Sequence, residues 1–391
     1  MSALVDGWRE RPYRLFFPLG LLLAWAGLAH WILFALGIDQ AYRSIYHSIA
    51  QVQGFLTCFA LGFLFTALPK RTQSAPPTKF ELLVGAAAPV LTTAIALPEH
   101  FAASQGPWIV LAIVMLAFTL RRFMGTRIGR RPPASFVLFP VAFALALVAI
   151  ATIGFYGAFH LDFAVHQLGR TLLLQGVFLL LVVGAASLAL PQITRGESVP
   201  DWKSGDLRAL VPHLLGALLL VATFVIEVRG LTRTGYASRA AIVLALLLQH
   251  AELQRRPTKP GLTRKLLYAA AWMLPTGYVL AALFPNQAQL GLHVVFIGGF
   301  GLMVLAVGAH VTFAHEDRQD LAHGAPWQVK GLAVLVAFAV VARALAVVDP
   351  PQARLWLGVA SLCFLLATLC CGSALVTTRR RAQQRPPSFD V

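Results

Sequence analysis

The chain of 391 residues is 58% hydrophobic by a broad count and only 12% charged, with a mean hydropathy of +0.72. That balance excludes a water-soluble protein of this size, and apolar runs of about twenty residues, the length that crosses a bilayer core, recur from end to end. The net charge of +16 would suit nucleic acid, but most of the basic residues fall in short connections on one side of the runs, which points to a lipid bilayer and to no nucleic acid.

The runs predict an all-α polytopic membrane protein, a single integral domain of about twelve transmembrane helices. They lie at 14–37, 44–69, 80–98, 105–124, 134–159, 169–191, 208–229, 235–254, 264–284, 289–314, 326–348 and 353–377. The N-terminal MSALVDGWRERPYR is polar and basic and leads into a full-length span, so it does not read as a cleaved signal. His30 lies on the first span, about 10 Å from the outer face at 1.5 Å per residue.

The second span, YHSIAQVQGFLTCFALGFLFTALP, opens on His47. On a regular helix His47, Gln51, Gly54, Cys58 and Gly62 share one stripe, a face on which a flat cofactor could lie against small residues. The third span is short and contains Pro89. The longest polar connection, QITRGESVPDWKSGDLR, separates two groups of six spans. The seventh and eighth are joined by RGLTRTGYASR, with three arginines. The tenth, GLHVVFIGGFGLMVLAVGAHVTFA, repeats the design of the second, with His293 near its start and Gly301 and Gly308 below it. The tail 378–391 is expected to be disordered. No internal repeat of the kind that builds inverted transporters is visible.

Alternating the connections collects the N-terminus, the 121–131 and 255–265 clusters and the C-terminal tail on one side, so both termini are expected to be cytoplasmic. That topology sorts the eleven histidines by depth. His30, His47, His100, His160, His166 and His293 fall in the outer half. His213, His250, His310, His315 and His323 fall in the inner half, where the first three are within reach of one another. His310 and His315, five apart, point in different directions and cannot share one metal. The four cysteines, Cys58, Cys363, Cys370 and Cys371, all lie inside spans without a CxxC spacing, as small apolar residues do.

A single histidine in a span is most simply a packing or hydrogen-bonding residue. Two at one depth on different helices are another matter, because haem iron takes one axial ligand from each face of its ring. His47 and His293 meet that need, and ionisable residues within spans are functional candidates by their cost. Arg343, a turn inside the eleventh span, is placed to meet a haem propionate or Glu227, or to snorkel to headgroups. Arg43 and Arg170 are further propionate candidates.

YHSIAQVQGFLTCFALGFLFTALPKRT, HVVFIGGFGLMVLAVGAHVTFAHEDR and the leading RPYRLFF resemble the NnrS family of membrane proteins, which contain haem and copper and are linked to nitric oxide resistance. The matching positions are His47, Gly54, Phe55, Gly62, Phe63 and Thr66 in the first motif and His293, Gly301 and His315 in the second. The resemblance implies a protein of the bacterial inner membrane that binds haem b, and copper with it, and meets nitric oxide or a related small molecule by turnover, protection or sensing. It names no electron donor. The resemblance implies His47, His293 and His315 as metal-ligating candidates, with Gly54 and Gly301 against the cofactor; depth in the spans adds His30 as a ligand candidate and Arg343 as a cofactor contact. The chain departs from the family where Ile49 and Ala50 replace a histidine and a glutamate, where SLALPQIT keeps only Pro191 and Thr194, and where His310 replaces an arginine. These departures bear on copper more than on haem.

Two other readings compete. A cofactor-free secondary transporter fits the span count, but the connection PKRTQSAPPTK lacks the major-facilitator pattern and mid-membrane carboxylates are absent. A haem–copper oxidase needs histidines on the sixth and seventh spans, which supply only His213.

Overall fold

The computed structural model describes residues 2–124, 131–203 and 205–383. Its helices, in chain order, are α1 (Ser2–Glu10), α2 (Tyr13–Ala35), α3 (Ser44–Thr72), α4 (Lys79–Ile95), α5 (Phe101–Met124), α6 (Ala134–Phe159), α7 (Phe163–Arg195), α8 (Leu207–Val228), α9 (Thr232–His250), α10 (Leu262–Leu283), α11 (Pro285–His315), α12 (Gln319–His323), α13 (Trp327–Val348) and α14 (Ala353–Gln383). There is no strand among the described residues. Ten of these helices are long and apolar enough to cross a membrane. The other two long ones, α4 and α9, occupy the places of the third and eighth expected spans. α4 is held to 17 residues, and α9 carries Arg233 and Arg239 in its first half. The last helix continues past 377 to Gln383, so the expected disorder does not begin at 378; the rest of that tail, 384–391, lies outside the described residues.

Most rods neighbour the next in sequence, and the ring closes where α14 packs on α2 and α13. Three rods sit inside this ring. In the apolar window of α7, 94% of residues are buried, against 83% for α3, 67% for α11 and 28% for α13. The reason is compositional: VFLLLVVGAASLAL in α7 is apolar on every side and can be surrounded by protein, whereas α13 turns Val334, Phe338 and Val341 outward. Each inner rod also departs from α-helical geometry. π-helical turns occupy Ala50–Leu56 in α3, Leu172–Gly176 and Leu190–Arg195 in α7, and Val294–Gly301 in α11. Such insertions cost backbone energy and recur at functional sites.

At the basic end, the leading RPYRLFF and the end of the second motif lock together. Glu316, 2% exposed at its side chain, receives the Tyr13 hydroxyl at 2.8 Å and both Arg14 Nη2 and Nε at 2.6–2.9 Å, with Arg11 at 3.5 Å. This ties α2 to the end of α11. Elsewhere at this end a capping box between Thr78 and Glu81 starts α4, and Arg121 donates to Glu81 at 2.6 Å.

Candidate functional site

At the opposite end of the bundle, the three inner rods separate around a cavity of about 500 Å³ bordered also by α2, α13 and α14, a volume in the range of small-molecule sites. All three π-helical turns at this end face it, through Phe55 of α3, Gln175 of α7 and Phe296 of α11.

His47 enters the cavity from the first turn of α3. That turn is fastened from outside: the Glu99 carboxylate accepts the backbone N–H of Ile45 at 2.9 Å and of Tyr46 at 2.8 Å. It supplies the cap that Arg43, the residue before the helix, cannot. The His47 ring is oriented by a hydrogen bond of 2.9 Å between Nδ1 and the carbonyl of Gly27 on α2. A carbonyl only accepts, so Nδ1 carries the proton and Nε2 keeps a free lone pair.

His293 enters from α11 in the same electronic state. Its Nδ1 donates to the carbonyl of Gln289 at 2.8 Å. The ring's position depends on the close crossing of α10 and α11, where an added Cβ at Gly291 would strike the backbone of Gly277 and Ala281. Only glycine permits this approach. Both imidazoles thus show the arrangement found in metal-ligating histidines, with the far nitrogen tied to a carbonyl and the near one unclaimed. Trp31, whose ring centre is 5.6 Å from that of His47, joins Phe55, Phe296 and Phe364 as apolar walls between them.

The polar part of the lining includes two cations. Arg170 and Arg343 both border the cavity. Arg170 stands over the Phe101 ring at 5.7 Å, and neither guanidinium has a hydrogen-bond or ion-pair partner among the described residues. Arg343 lies within electrostatic reach of both imidazoles. Among the described residues Glu227 is the one carboxylate in the lining, and it is already compensated, accepting from Arg239 at 2.6 Å and from the Tyr236 hydroxyl at 2.8 Å. Arg239 is fully buried, 3.6 Å above the Phe224 ring. The expected option of Arg343 pairing with Glu227 is therefore replaced by Arg239. In sequence that arginine reads as one of three loop charges; the fold carries it a turn or two inside α9, where a neighbouring carboxylate pays for its desolvation.

Not every expected site residue joins this group. Gly54 and Gly301 do not line the cavity. A Cβ at Gly54 would meet Thr93 Oγ1 at 3.0 Å and Leu23 at 3.3 Å, and one at Gly301 would meet Phe364 at 2.9 Å. Both serve helix packing. The expected stripe from His47 to Gly62 assumes 3.6 residues per turn, and a π insertion turns the later positions by about 100°, the angular step of one residue. His30 stands close by, its ring centre 6.4 Å from that of His47, but it stacks beside Trp31 outside the lining, with both ring nitrogens buried and unpartnered. His315 lies at the far end of α11, roughly 30 Å from His293 at 1.5 Å per residue, with its ring against Tyr13 at 5.4 Å. Of the inner histidines, His213 and His250 meet, with ring centres 3.9 Å apart, while His310 is paired with Thr263 at 3.3 Å.

The residues present fit a planar metal macrocycle: two unclaimed imidazole nitrogens, aromatic walls and two unpaired cations for carboxylate arms. They do not fit a separate copper ion, since no group of three or more histidine, cysteine, aspartate or glutamate side chains converges among the described residues. The residues that sequence reasoning missed are Glu99, Gln175 and the Arg239 network. The only signal for any of them is the cost of an ionisable or amide side chain within an apolar run.

Residues 8–380 match the family model described as NnrS protein. No curated protein sequence matches the chain.

Proposed function

Because the chain belongs to the NnrS family, we propose that it is a haem-binding protein of the bacterial inner membrane acting in the response to nitric oxide, in which His47 and His293 would hold a haem b. The observation that supports this most is the pair of imidazoles bordering one cavity from different rods, each held by a carbonyl in the tautomer that leaves Nε2 free. In this reading the chain crosses the bilayer twelve times, with α4 and α9 among the crossings and both termini cytoplasmic. The cavity then lies toward the outer leaflet.

A bound haem b supplies an iron that exchanges single electrons and binds diatomic gases. The chain's own residues do the rest. Gly27 and Gln289 fix the two rings. Arg343 and Arg170 would neutralise the carboxylate arms of such a group. The aromatic walls exclude water. Glu227, held by Arg239 and Tyr236, gives the lining a carboxylate without adding a free negative charge beside those arms. Copper has no part in the proposal, for want of a donor set.

The test is the absorption spectrum of the detergent-purified protein, oxidised and dithionite-reduced, before and after nitric oxide. A Soret band that shifts with the gas is expected if one histidine yields its position. A Soret band indifferent to the gas keeps the haem and assigns it to electron transfer. No Soret band after expression with ample haem contradicts the proposal and favours a cofactor-free transporter.

A further inference from the structure

The Gln175 side chain is a buried amide on a π-helical turn of α7, 6% exposed and bordering the cavity. Amide oxygen and nitrogen look alike in shape, so their assignment rests on their neighbours. Here the neighbours decide. Gln175 Oε1 faces Arg239 Nη1 at 3.4 Å and the Tyr278 hydroxyl at 3.5 Å. Turning the amide over would set its NH₂ against a guanidinium, which has donors only. Arg239 is itself fixed by Glu227 and Thr223 and Tyr278 is fully buried, so neither can move away to allow the flip.

The amide nitrogen, with two N–H groups, is left on the cavity side. It has no hydrogen-bond partner among the described residues and is not one of the fully enclosed unpartnered atoms, which leaves both N–H groups open to a ligand. Two charged donors on the lining, Arg170 and Arg343, are also unpartnered among the described residues, and among those residues the one lining carboxylate, Glu227, is spent on Arg239 and Tyr236. Apart from the two imidazoles, this part of the wall offers N–H groups and positive charge with no uncompensated carboxylate, which suits a ligand of the opposite charge.

We propose that Gln175, held by Arg239 and Tyr278, is the ligand-orienting residue of this cavity, and that with Arg170 and Arg343 it receives a carboxylate or small oxyanion. Two sources have this chemistry, a haem propionate and a free anion. The inference rests on the haem reading for the first source only.

The experiment is calorimetric titration of the full-length protein in detergent with sodium formate and with sodium nitrite, against sodium chloride at equal ionic strength, on haem-free and haem-loaded preparations. Haem-free wild type is expected to bind one of the two probes saturably. Gln175→Leu and Arg343→Gln should each weaken that binding about tenfold or more. Gln175→Glu controls for folding, because a carboxylate still accepts from Arg239 and Tyr278; it should melt no lower than wild type yet bind neither probe. Binding that disappears on haem loading, with poorer haem retention in Gln175→Leu, assigns the site to a propionate. Binding that survives haem loading assigns it to a free anion. If neither probe binds haem-free wild type, or if Gln175→Leu and Gln175→Glu bind within threefold of it, the proposal is overturned. A protein that takes up no haem at all leaves the haem-free titration to decide, so the two readings fail separately.

Discussion

Glu99 reaches from the α4–α5 connection to hold the turn that carries His47, and removing it should loosen that turn before it unfolds the protein. Its backbone sits at φ +65°, a left-handed conformation that a residue with a Cβ adopts at a cost. The compensation is visible in the two bonds to Ile45 and Tyr46 N–H. Each is a capping bond to a carboxylate at a helix start and contributes about 1 kcal/mol net at a partly hydrated position. Glu99→Ala removes both, so the first turn of α3 should open more easily by about 2 kcal/mol, or about thirtyfold in its local equilibrium. Glu99→Gln keeps one acceptor oxygen and should cost about half as much, roughly fivefold. Hydrogen–deuterium exchange on a peptide covering 44–50 reads this directly, with a peptide from α7 as the internal standard. Exchange of 44–50 in Glu99→Ala within twofold of wild type would refute the reasoning, because the cap would then contribute nothing.

Three further expectations concern the frame around the cavity. Glu316→Gln breaks a buried carboxylate away from Arg14 and Tyr13 and should cost about 3 kcal/mol, seen as a lowered melting temperature in detergent; a loss under about 1 kcal/mol contradicts the clamp between α2 and α11. Gly291→Ala should cost about 2 kcal/mol or more through overpacking and reduce haem retention, since the methyl meets backbone atoms of Gly277 and Ala281; an unchanged melting curve and haem content contradict the close crossing. Outside the spans, the hydrogen bond from Arg318 lowers the Asp320 carboxyl from 3.8 to about 2. A depressed folded value means that the contribution is fully present above 3.8 and is lost as pH falls from there through about 2. The melting-temperature gap between wild type and Asp320→Asn should therefore be level above about pH 4 and close below it; a gap that widens toward pH 2 contradicts this pairing.

Much of the arrangement is legible in the sequence because it follows from local pattern. The apolar runs give the helices, and counting residues inward from their ends places His47 and His293 at one depth. Both border one cavity. What the pattern cannot carry is the helical phase beyond each histidine. The π-helical turns after His47 and His293 come from packing among three inner rods, so Gly54 and Gly301 read as a cofactor face and instead lie against Thr93, Leu23 and Phe364. Partnerships across the chain are equally invisible. Glu99 lies in the α4–α5 connection and Tyr46 on α3, and Arg239 finds Glu227 only because α8 and α9 fold back on each other. Its neighbour Gln175 looks like a stray amide in LLLQGVFLLL until Arg239 and Tyr278 show which way it faces.

The most direct test of the central claim compares absorption spectra and haem content of wild type, His47→Ala and His293→Ala, purified side by side from haem-supplemented cells. The account predicts a Soret band in wild type and a lost or shifted band in each variant, with the helical content of all three unchanged. A wild-type Soret band that both variants keep, in position and in intensity, would contradict the assignment of these two histidines.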